Sequence, residues 1–226
     1  MKHLYAGKSQ AYYQSARKEI LPLLPSGRMK ILELGCGEGA TLGWLKSIDR
    51  CAEGIGIELS ETAALKAQEV VDRVIVTDIE RAEVAFPSEY FDCILCLDVL
   101  EHLQDPWRVL RELSRWLRQN GTLVASIPNV RYKSVVIDLA LHGKFDYEAA
   151  GIMDRTHLRF FTRSSAVSLL QSAGLVVTEV LHQPAEVGGL SGMLNALSLG
   201  YFRDMLTWQY LIAGVKEPSV FAQSSS

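Results

Sequence analysis

The segment ELGCGEG at residues 33–39 combines a carboxylate with three glycines in a spacing that suits nucleotide binding. Apolar residues precede it and a helix-length segment follows it, so the sequence predicts a strand, a tight turn and a helix. Glycine serves such a turn because its backbone adopts positive φ and lets a ligand lie directly against it. The residues of the predicted turn are Gly35, Cys36, Gly37 and Gly39.

Acidic residues stand where successive predicted strands end. Glu33 lies just before the glycines, Glu58 ends the next strand beside Leu59, and Asp78 ends the third beside Ile79. A carboxylate next to the glycines can receive an ammonium group but repels a pyrophosphate, which argues against a nicotinamide cofactor. Glu58 suits the two hydroxyls of a ribose. Asp78 suits an adenine amino group, with Ile79 beside the ring.

Strand-like apolar runs alternate with amphipathic segments of helical length, which is typical of a parallel sheet covered on both faces. The sequence predicts an α/β fold: a doubly wound, Rossmann-like, mostly parallel sheet of about seven strands with an antiparallel edge strand. Strands are predicted at 30–34, 53–57, 73–76, 91–97, 122–127, 175–181 and 208–215. Helices are predicted at 40–47, 61–68, 106–118, 130–141 and 164–173.

No linker, fixed-period repeat or charge block divides the 226 residues, so the sequence predicts a single domain. Within it, the N-terminal helical segment is expected at 1–28 and the cofactor-binding core at 29–128. An acceptor-side lid and insertion is expected at 129–203, and the final strand at 204–217.

Composition limits the classes of partner and the location. The net charge is −3 with both signs mixed along the chain, unlike the basic face that grips duplex nucleic acid. The N-terminus has no apolar signal region and no stretch is long and apolar enough to span a membrane, so a cytoplasmic location is expected. Cys93 and Cys96 form a CxxC pattern, but on a strand they face opposite sides, which favours core packing. The oligomeric state stays open.

These elements, with FDCILCLDVLEHLQDP at 91–106 and NGTLVASIPN at 120–129, resemble the class I S-adenosylmethionine-dependent methyltransferases. The resemblance covers residues 30–181. It implies that the glycine turn holds the methionine end of the cofactor, the second acid the ribose and the third acid the adenine. The residues implied to bind S-adenosylmethionine are Glu33, Gly35, Cys36, Gly37, Gly39, Glu58, Leu59, Asp78, Ile79, Leu97, Asp98 and Val99.

The acceptor is expected beyond the carboxyl ends of the later strands, where loops of open α/β sheets carry the chemistry. The chain lacks the Asn/Asp-Pro-Pro-Tyr element of many amino-group methyltransferases, and its LDVLEHL resembles small-molecule O-methyltransferases, including those of quinone biosynthesis. The stretch DRTHLRFFT resembles enzymes that modify glycans or secondary metabolites. The expected acceptor is therefore a hydroxyl of a small metabolite or sugar, with His157 and His102 as candidate catalytic residues.

Other interpretations stay open. If a helical turn starts at Asp98, then Asp98, Glu101 and His102 share a face and, with His157, could hold a divalent metal. Similar residues hold a metal in small-RNA 2′-O-methyltransferases, which makes metal-assisted RNA methylation an alternative, although the shorter Asp98 and the missing basic patch do not favour it. The fold could also be a non-catalytic cofactor-binding module, or bind a nicotinamide dinucleotide.

Two further segments could lie over the site. One segment could form an acceptor lid from Phe145, Tyr147, Phe160, Phe161 and Arg159 together with Arg155. Alternatively, Phe160 and Phe161 are core packing beneath the loop. The segment with Tyr12, Tyr13 and Arg17, before the first strand, either folds over the cofactor, as in related proteins, or is an ordinary packing helix.

Overall fold

The computed structural model describes residues 15–81, 83–184 and 202–218. The strands in these ranges are β1 Met29–Leu34, β2 Cys51–Glu58, β3 Arg73–Val76, β4 Phe91–Leu97, β5 Leu117–Pro128, β6 Leu175–Pro184 and β7 Thr207–Lys216. They form one seven-stranded sheet in the order β3-β2-β1-β4-β5-β7-β6. β1 to β5 are parallel, and β7 runs antiparallel between β5 and the edge strand β6. The predicted fold class is confirmed.

Helices pack on both faces of the sheet. They are α1 Ala40–Ser47, α2 Glu61–Ala67, α3 Pro106–Trp116, α4 Lys133–His142, α5 Arg163–Gln171 and α6 Arg203–Leu206, with 3-10 helices at Lys18–Leu23 and Leu100–His102. One core lies beneath α3 and α5, and the other beneath α1, α2 and the first 3-10 helix. Cys96 lies in the former and Cys93 in the latter, so the two thiols face opposite sides as predicted. No helix in the described ranges has the length and apolar character that crossing a membrane requires.

The sequence around α3 explains how this helix begins and which face it buries. The Asp105 side chain accepts a hydrogen bond from the Arg108 N–H, and Pro106 occupies the first turn, where its missing N–H costs nothing. Leu110 and Leu113 are fully buried against the sheet. Their spacing gives the helix a single apolar face, which fixes its rotation on the sheet.

The prediction that α3 continues to Arg118 is wrong. Leu117 already has extended backbone angles, and it pairs with Phe91 on β4. Leu117 is fully buried in this pairing. β5 therefore begins at Leu117, five residues before the predicted start at residue 122. Asn120, with a φ of 60°, lies within the strand instead of ending the helix.

Other boundaries differ less. The helix predicted from residue 130 begins at Lys133, because the Asn129 side chain accepts a hydrogen bond from the Arg131 N–H and forms a turn first. The predicted N-terminal helical segment contains the 3-10 helix Lys18–Leu23. Residues 1–14 and most of the insertion, 185–201, lie outside the described ranges. The single-domain prediction includes those residues and stays a prediction.

Gly56 on β2 allows the glycine turn to pass close over the sheet. A Cβ atom on Gly56 would lie 2.3 Å from Sγ and 3.0 Å from Cβ of Cys36. The turn is held there by hydrogen bonds from the Gly35 and Cys36 N–H groups to the Ile57 carbonyl, at 2.8 and 3.3 Å. The path of the turn therefore depends on the absence of one methyl group from the neighbouring strand.

We expect Gly56→Ala to lower the free energy of unfolding by about 1–3 kcal/mol, because the added Cβ overlaps Cys36 in a packed core. Gly43→Ala on α1 is the matched control, since its Cβ would meet Val70 at an ordinary 3.6 Å. This control should be neutral or up to ~1 kcal/mol more stable, as alanine favours the helix. Urea unfolding measures both, and equal stability of the two variants would contradict the close approach.

Candidate active site

Four carboxylates follow the edge at which the parallel strands end. The strand order β3-β2-β1-β4 arranges Asp78, Glu58, Glu33 and Asp98 in that spatial order. Glu33 and Glu58 are buried, whereas the side chains of Asp78 and Asp98 are partly exposed. The row is an elongated acidic site, formed by residues that are up to 65 positions apart in the sequence.

The glycine turn lies in the middle of this row. Gly35, Gly37 and Gly39 all have positive φ, at 70°, 55° and 78°. A Cβ on Gly35 would lie only 2.5 Å from Cγ2 of Val99, which follows β4. The turn therefore brings bare backbone to the sheet edge, and Gly39 starts α1 directly behind it.

The end of β2 is connected to the turn through Glu58. Its Oε2 accepts a hydrogen bond from the Gly37 N–H at 2.9 Å, and its Oε1 accepts one from the Ser60 N–H at 2.8 Å. Leu59 between them is half-buried. A carboxylate has about four lone-pair sites, so Glu58 keeps acceptor capacity for hydroxyl donors.

The pKa of the buried Glu33 carboxyl is shifted from its ordinary value. Burial raises its pKa to about 8, opposed by a hydrogen bond with Thr41 and the charge of Arg17, and reinforced by Glu58. Its Oε2 is buried and has no hydrogen-bond partner within the described residues. A buried carboxylate oxygen without a donor is unfavourable, so the site is suited to an arriving cation such as an ammonium group.

Asp98 is held in place by residues from both ends of the chain. Its backbone has a φ of 55°, and its Oδ1 accepts a hydrogen bond from the Ser126 hydroxyl at 2.9 Å. Arg17 donates to Oδ2, and the Gln209 amide donates to Oδ1. Gln209 also accepts from Arg17 at 2.8 Å. Sequence reasoning missed Gln209, which lies on β7 with no motif around it.

Arg17 contacts the acidic row, because its guanidinium bonds both Asp98 and Glu19. Its backbone N–H donates to the Thr41 hydroxyl at 3.3 Å, and Thr41, in the first turn of α1, interacts with Glu33.

Ile20 and Leu23 of the following 3-10 helix are buried in the core, so the N-terminal segment also packs as its other interpretation, an ordinary packing helix, has it. Its folding over a cofactor stays a prediction. Tyr12 and Tyr13 lie outside the described ranges.

A second polar group is buried behind Asp98. Glu101, His102 and His157 are 1%, 5% and 7% exposed, and each offers a ligand atom within 4.8 Å of the other two. The imidazole rings lie 4.7 Å apart. His102 Nδ1 lies 3.0 Å from the Thr156 carbonyl and His157 Nδ1 2.9 Å from the Ile152 carbonyl. A carbonyl only accepts, so Nδ1 carries the proton in each ring and Nε2 is the nitrogen that can bind a proton or metal.

The prediction that Asp98 joins this group is wrong. The 3-10 helix begins at Leu100, and the Asp98 side chain is directed to Ser126, Gln209 and Arg17 instead. The structure thus separates the four predicted metal ligands into Asp98, at the sheet edge, and a buried trio of Glu101, His102 and His157.

The DRTHLRFFT segment covers the trio because it is hydrogen-bonded to the 3-10 helix. The N–H groups of Leu158 and Arg159 both donate to the Glu101 carbonyl, at 2.8 and 3.0 Å. Asp154 is buried and accepts from the backbone N–H and hydroxyl of Thr156, at 2.9 and 2.7 Å. These bonds fix a loop that has no regular secondary structure of its own.

The predicted aromatic lid divides into two parts. Phe161 is buried in the core, as the packing interpretation requires. Phe145 and Tyr147 are 43% and 50% exposed, and their rings lie 5.6 and 6.1 Å from that of Phe160. Phe160 in turn lies edge-on to His157 at 6.4 Å. Aromatic surface therefore extends from the buried trio to solvent.

The remaining predicted cofactor residues lie along the same edge. Leu97 is buried at the end of β4, and Val99 is partly buried beside Gly35. Ile79 packs against the core next to Asp78, whose carboxylate accepts from the Glu80 N–H at 3.0 Å. All twelve predicted cofactor-binding residues belong to these strand ends and the loops that follow them.

Comparison with known proteins identifies the family of the chain. A family model described as "Methyltransferase domain" matches residues 5–180. A probable S-adenosylmethionine-dependent methyltransferase of Mycobacterium tuberculosis is 35% identical over 99 residues, 44% of this chain and 35% of that protein. A ubiquinone biosynthesis O-methyltransferase of Bradyrhizobium diazoefficiens is 28% identical over 159 residues, 68% of this chain and 60% of that protein. The chain thus matches about a third to three-fifths of the length of these relatives.

A solved structure is similar over nearly the whole chain. The S-adenosylmethionine-dependent methyltransferase of Thermotoga maritima, described as a possible histamine N-methyltransferase, has a TM-score of 0.65 at 20% identity. The likeness covers 96% of this chain and 100% of that one, and it concerns the fold. With the family match, it places the chain in the methyltransferase-domain family of the class I S-adenosylmethionine-dependent superfamily, whose cofactor is S-adenosylmethionine.

The Glu33 pKa predicts a pH-dependent stability in the absence of cofactor. A folded pKa of about 8, above the ordinary 4.5, means that folding retains a proton that the unfolded chain has lost between these pH values. Stability should therefore fall as the pH rises through this window. We expect the stability of Glu33→Gln relative to wild type to increase by more than ~1 kcal/mol from about pH 5 to about pH 8.

Chemical unfolding at the two pH values measures this difference. Glu53→Gln, on the far end of β2 and partly exposed, is the control and should follow the wild type. Parallel pH curves for wild type and Glu33→Gln would show that Glu33 is ionised in the folded state.

Proposed function

We propose that the chain transfers a methyl group from S-adenosylmethionine to a hydroxyl of a small acceptor molecule. The observation that carries this proposal is the acidic row at the sheet edge, with the unpartnered oxygen of Glu33 beside the bare backbone of the glycine turn. A cofactor that brings an ammonium group, a ribose and an adenine matches this row from Glu33 to Asp78. The Glu33 carboxylate would repel a pyrophosphate at this edge, which disfavours a dinucleotide.

The residues fit the cofactor in the following roles. Glu33 receives the ammonium group, and Glu58 accepts hydrogen bonds from the ribose hydroxyls. Asp78 and Ile79 hold the adenine, one by its amino group and the other against the ring. When bound, S-adenosylmethionine supplies an electrophilic methyl group on a positively charged sulfur. Asp98, at the end of β4 on the side of Glu33 away from Asp78, marks the direction in which the acceptor lies.

The support for an oxygen acceptor comes from the sequence and its relatives. The chain has no Asn/Asp-Pro-Pro-Tyr element after β4, where it has LDVLEHL. Several similar proteins are ubiquinone biosynthesis O-methyltransferases, and another is a 27-O-demethylrifamycin SV methyltransferase. Methylation of a hydroxyl requires removal of its proton as the new bond forms.

His157 and His102 are the groups proposed to accept this proton. Each Nδ1 is committed to a backbone carbonyl, which orients the ring and directs basicity to Nε2. Both rings are buried under the DRTHLRFFT segment, so they are sheltered from bulk water.

A second candidate is metal-assisted methylation. It is favoured by the three ligand atoms of Glu101, His102 and His157 within 4.8 Å, and by the carbonyl bonds of both Nδ1 atoms, an arrangement typical of metal-binding imidazoles. A divalent metal held there would orient acceptor oxygens and acidify a hydroxyl. Asp98 has no part in this candidate, and neither candidate identifies RNA as the acceptor.

Calorimetric titration with S-adenosylhomocysteine tests the cofactor site. We expect Glu58→Ala to weaken binding by at least about tenfold, because hydrogen bonds to a charged group are lost. Glu53→Ala is the matched control on the same strand, since Glu53 bonds Tyr90 at the opposite end. No binding by folded wild type, or tighter binding of NAD, would contradict the proposed function. Binding without turnover of any hydroxyl acceptor would favour a non-catalytic module.

Steady-state kinetics of histidine variants test whether His157 takes part in catalysis. With any phenol or catechol acceptor that the wild type methylates, His157→Ala should lower kcat about a hundredfold, the usual contribution of a general base. The KM for S-adenosylmethionine should stay within about twofold, and His182→Ala on β6 should behave as wild type. An unchanged kcat would remove His157 from the mechanism. Loss of wild-type activity with EDTA and its recovery with Mn²⁺ would select the metal-assisted candidate.

A further inference from the structure

A cavity of about 300 Å³ lies between α4 and the loop that follows it. Trp208, near the start of β7, forms one wall. The Asn129 N–H donates to the Trp208 carbonyl at 3.0 Å, so this wall is attached to the end of β5. Ile152 also lines the cavity, and its carbonyl lies 2.9 Å from Nδ1 of His157, so the cavity adjoins the buried trio.

The cavity has a rigid apolar floor and aromatic walls. Ile152 and Met153 are buried beneath it, and the Glu148 N–H donates to the Met153 carbonyl at 2.7 Å. The Trp208 ring is 5.3 Å from that of Tyr132, and Phe145 lines the cavity from the loop. Trp208 and Phe145 both keep more than a third of their surface exposed, so aromatic surface is accessible at the cavity.

The polar side chains around the cavity are mostly acidic. Asp138, Asp146 and Glu148 line it, with Lys144 as the one cation among its lining residues. Asp138 is 3.1 Å from the imidazole of His142. Among the ion pairs within the described ranges, none includes Asp146 or Glu148. A ligand in the cavity therefore meets an excess of two negative charges, which excludes anions.

We propose that this cavity binds the protonated amine of the acceptor. An ammonium group gains from the carboxylates and also from the electron-rich face of Trp208, whereas a neutral group gains from neither charge effect. A hydroxyl on the same molecule then extends toward Asp98 and the buried trio. This inference rests on the proposed function, and it narrows the acceptor class to hydroxylated amines.

The test compares three small probes of the same size and shape in calorimetric titrations with the full chain and saturating S-adenosylhomocysteine. Tyramine carries the ammonium group, tyrosol replaces it with a hydroxyl, and 3-(4-hydroxyphenyl)propionate replaces it with a carboxylate. We expect tyramine to bind roughly tenfold more tightly than tyrosol at low salt. High salt should reduce this preference, because the carboxylates are partly exposed. The carboxylate probe should not bind.

Substitutions of the acidic lining residues test whether the preference for tyramine over tyrosol arises in the cavity. Asp146→Asn combined with Glu148→Gln should reduce the ratio of tyramine to tyrosol affinity at least about threefold, while S-adenosylhomocysteine binding stays unchanged. Glu112→Gln, which removes one charge from the exposed face of α3, is the control and should retain the wild-type ratio.

Equal binding of tyramine and tyrosol, no binding of tyramine, or an unchanged ratio in the double variant would overturn the inference. The proposed function is tested separately by measuring whether the chain binds S-adenosylhomocysteine. If that ligand fails to bind while tyramine is still preferred, the proposed function fails and the amine site remains. If it binds and tyramine is not preferred, only the inference fails.

Discussion

The common edge at which parallel strands end is the constraint on which the site depends. Parallel pairing in register places the last residues of β3, β2, β1 and β4 side by side, whatever their distance in sequence. An acid at the end of each strand then becomes one continuous row. Its charges are offset locally: Glu58 accepts two backbone N–H groups, Asp98 is held by Arg17, and burial raises the pKa of Glu33 to about 8.

Close backbone contact is the second requirement, and it explains why the glycines are distributed as they are. Gly35 lies under Val99, and Gly56 lies under Cys36, so the turn, β2 and the segment after β4 are packed without Cβ atoms between them. As a result, backbone peptide groups of the glycine turn lie at the sheet edge before the N-terminus of α1. In the proposed site, backbone as well as side chains would recognise polar ligand atoms, and the acids would select cationic and hydroxyl groups.

The acceptor side is built differently, from loops that tertiary hydrogen bonds hold in place. The Glu101 carbonyl receives two N–H groups of the DRTHLRFFT segment, and this attachment buries two histidines and a glutamate together. From this trio, aromatic rings lead through Phe160 to Phe145 at the rim of the acidic cavity. The proposed cofactor edge thus lies on strands and the proposed acceptor region on loops, an arrangement in which acceptor choice can vary without change to the cofactor site.

The sequence by itself determined the alternation of strands and helices, the glycine turn and the acids at the strand ends. These features follow from local rules: hydrophobic periodicity, positive φ and the position of a residue at the end of a strand. Only the tertiary structure decided that Asp98 turns toward Ser126, Gln209 and Arg17, away from Glu101 and His102. It also decided that β5 begins at Leu117, because pairing with β4 overrides the helical pattern. Gln209 and the cavity beside Trp208 arise from long-range pairing of β7, which leaves no local signal in the sequence.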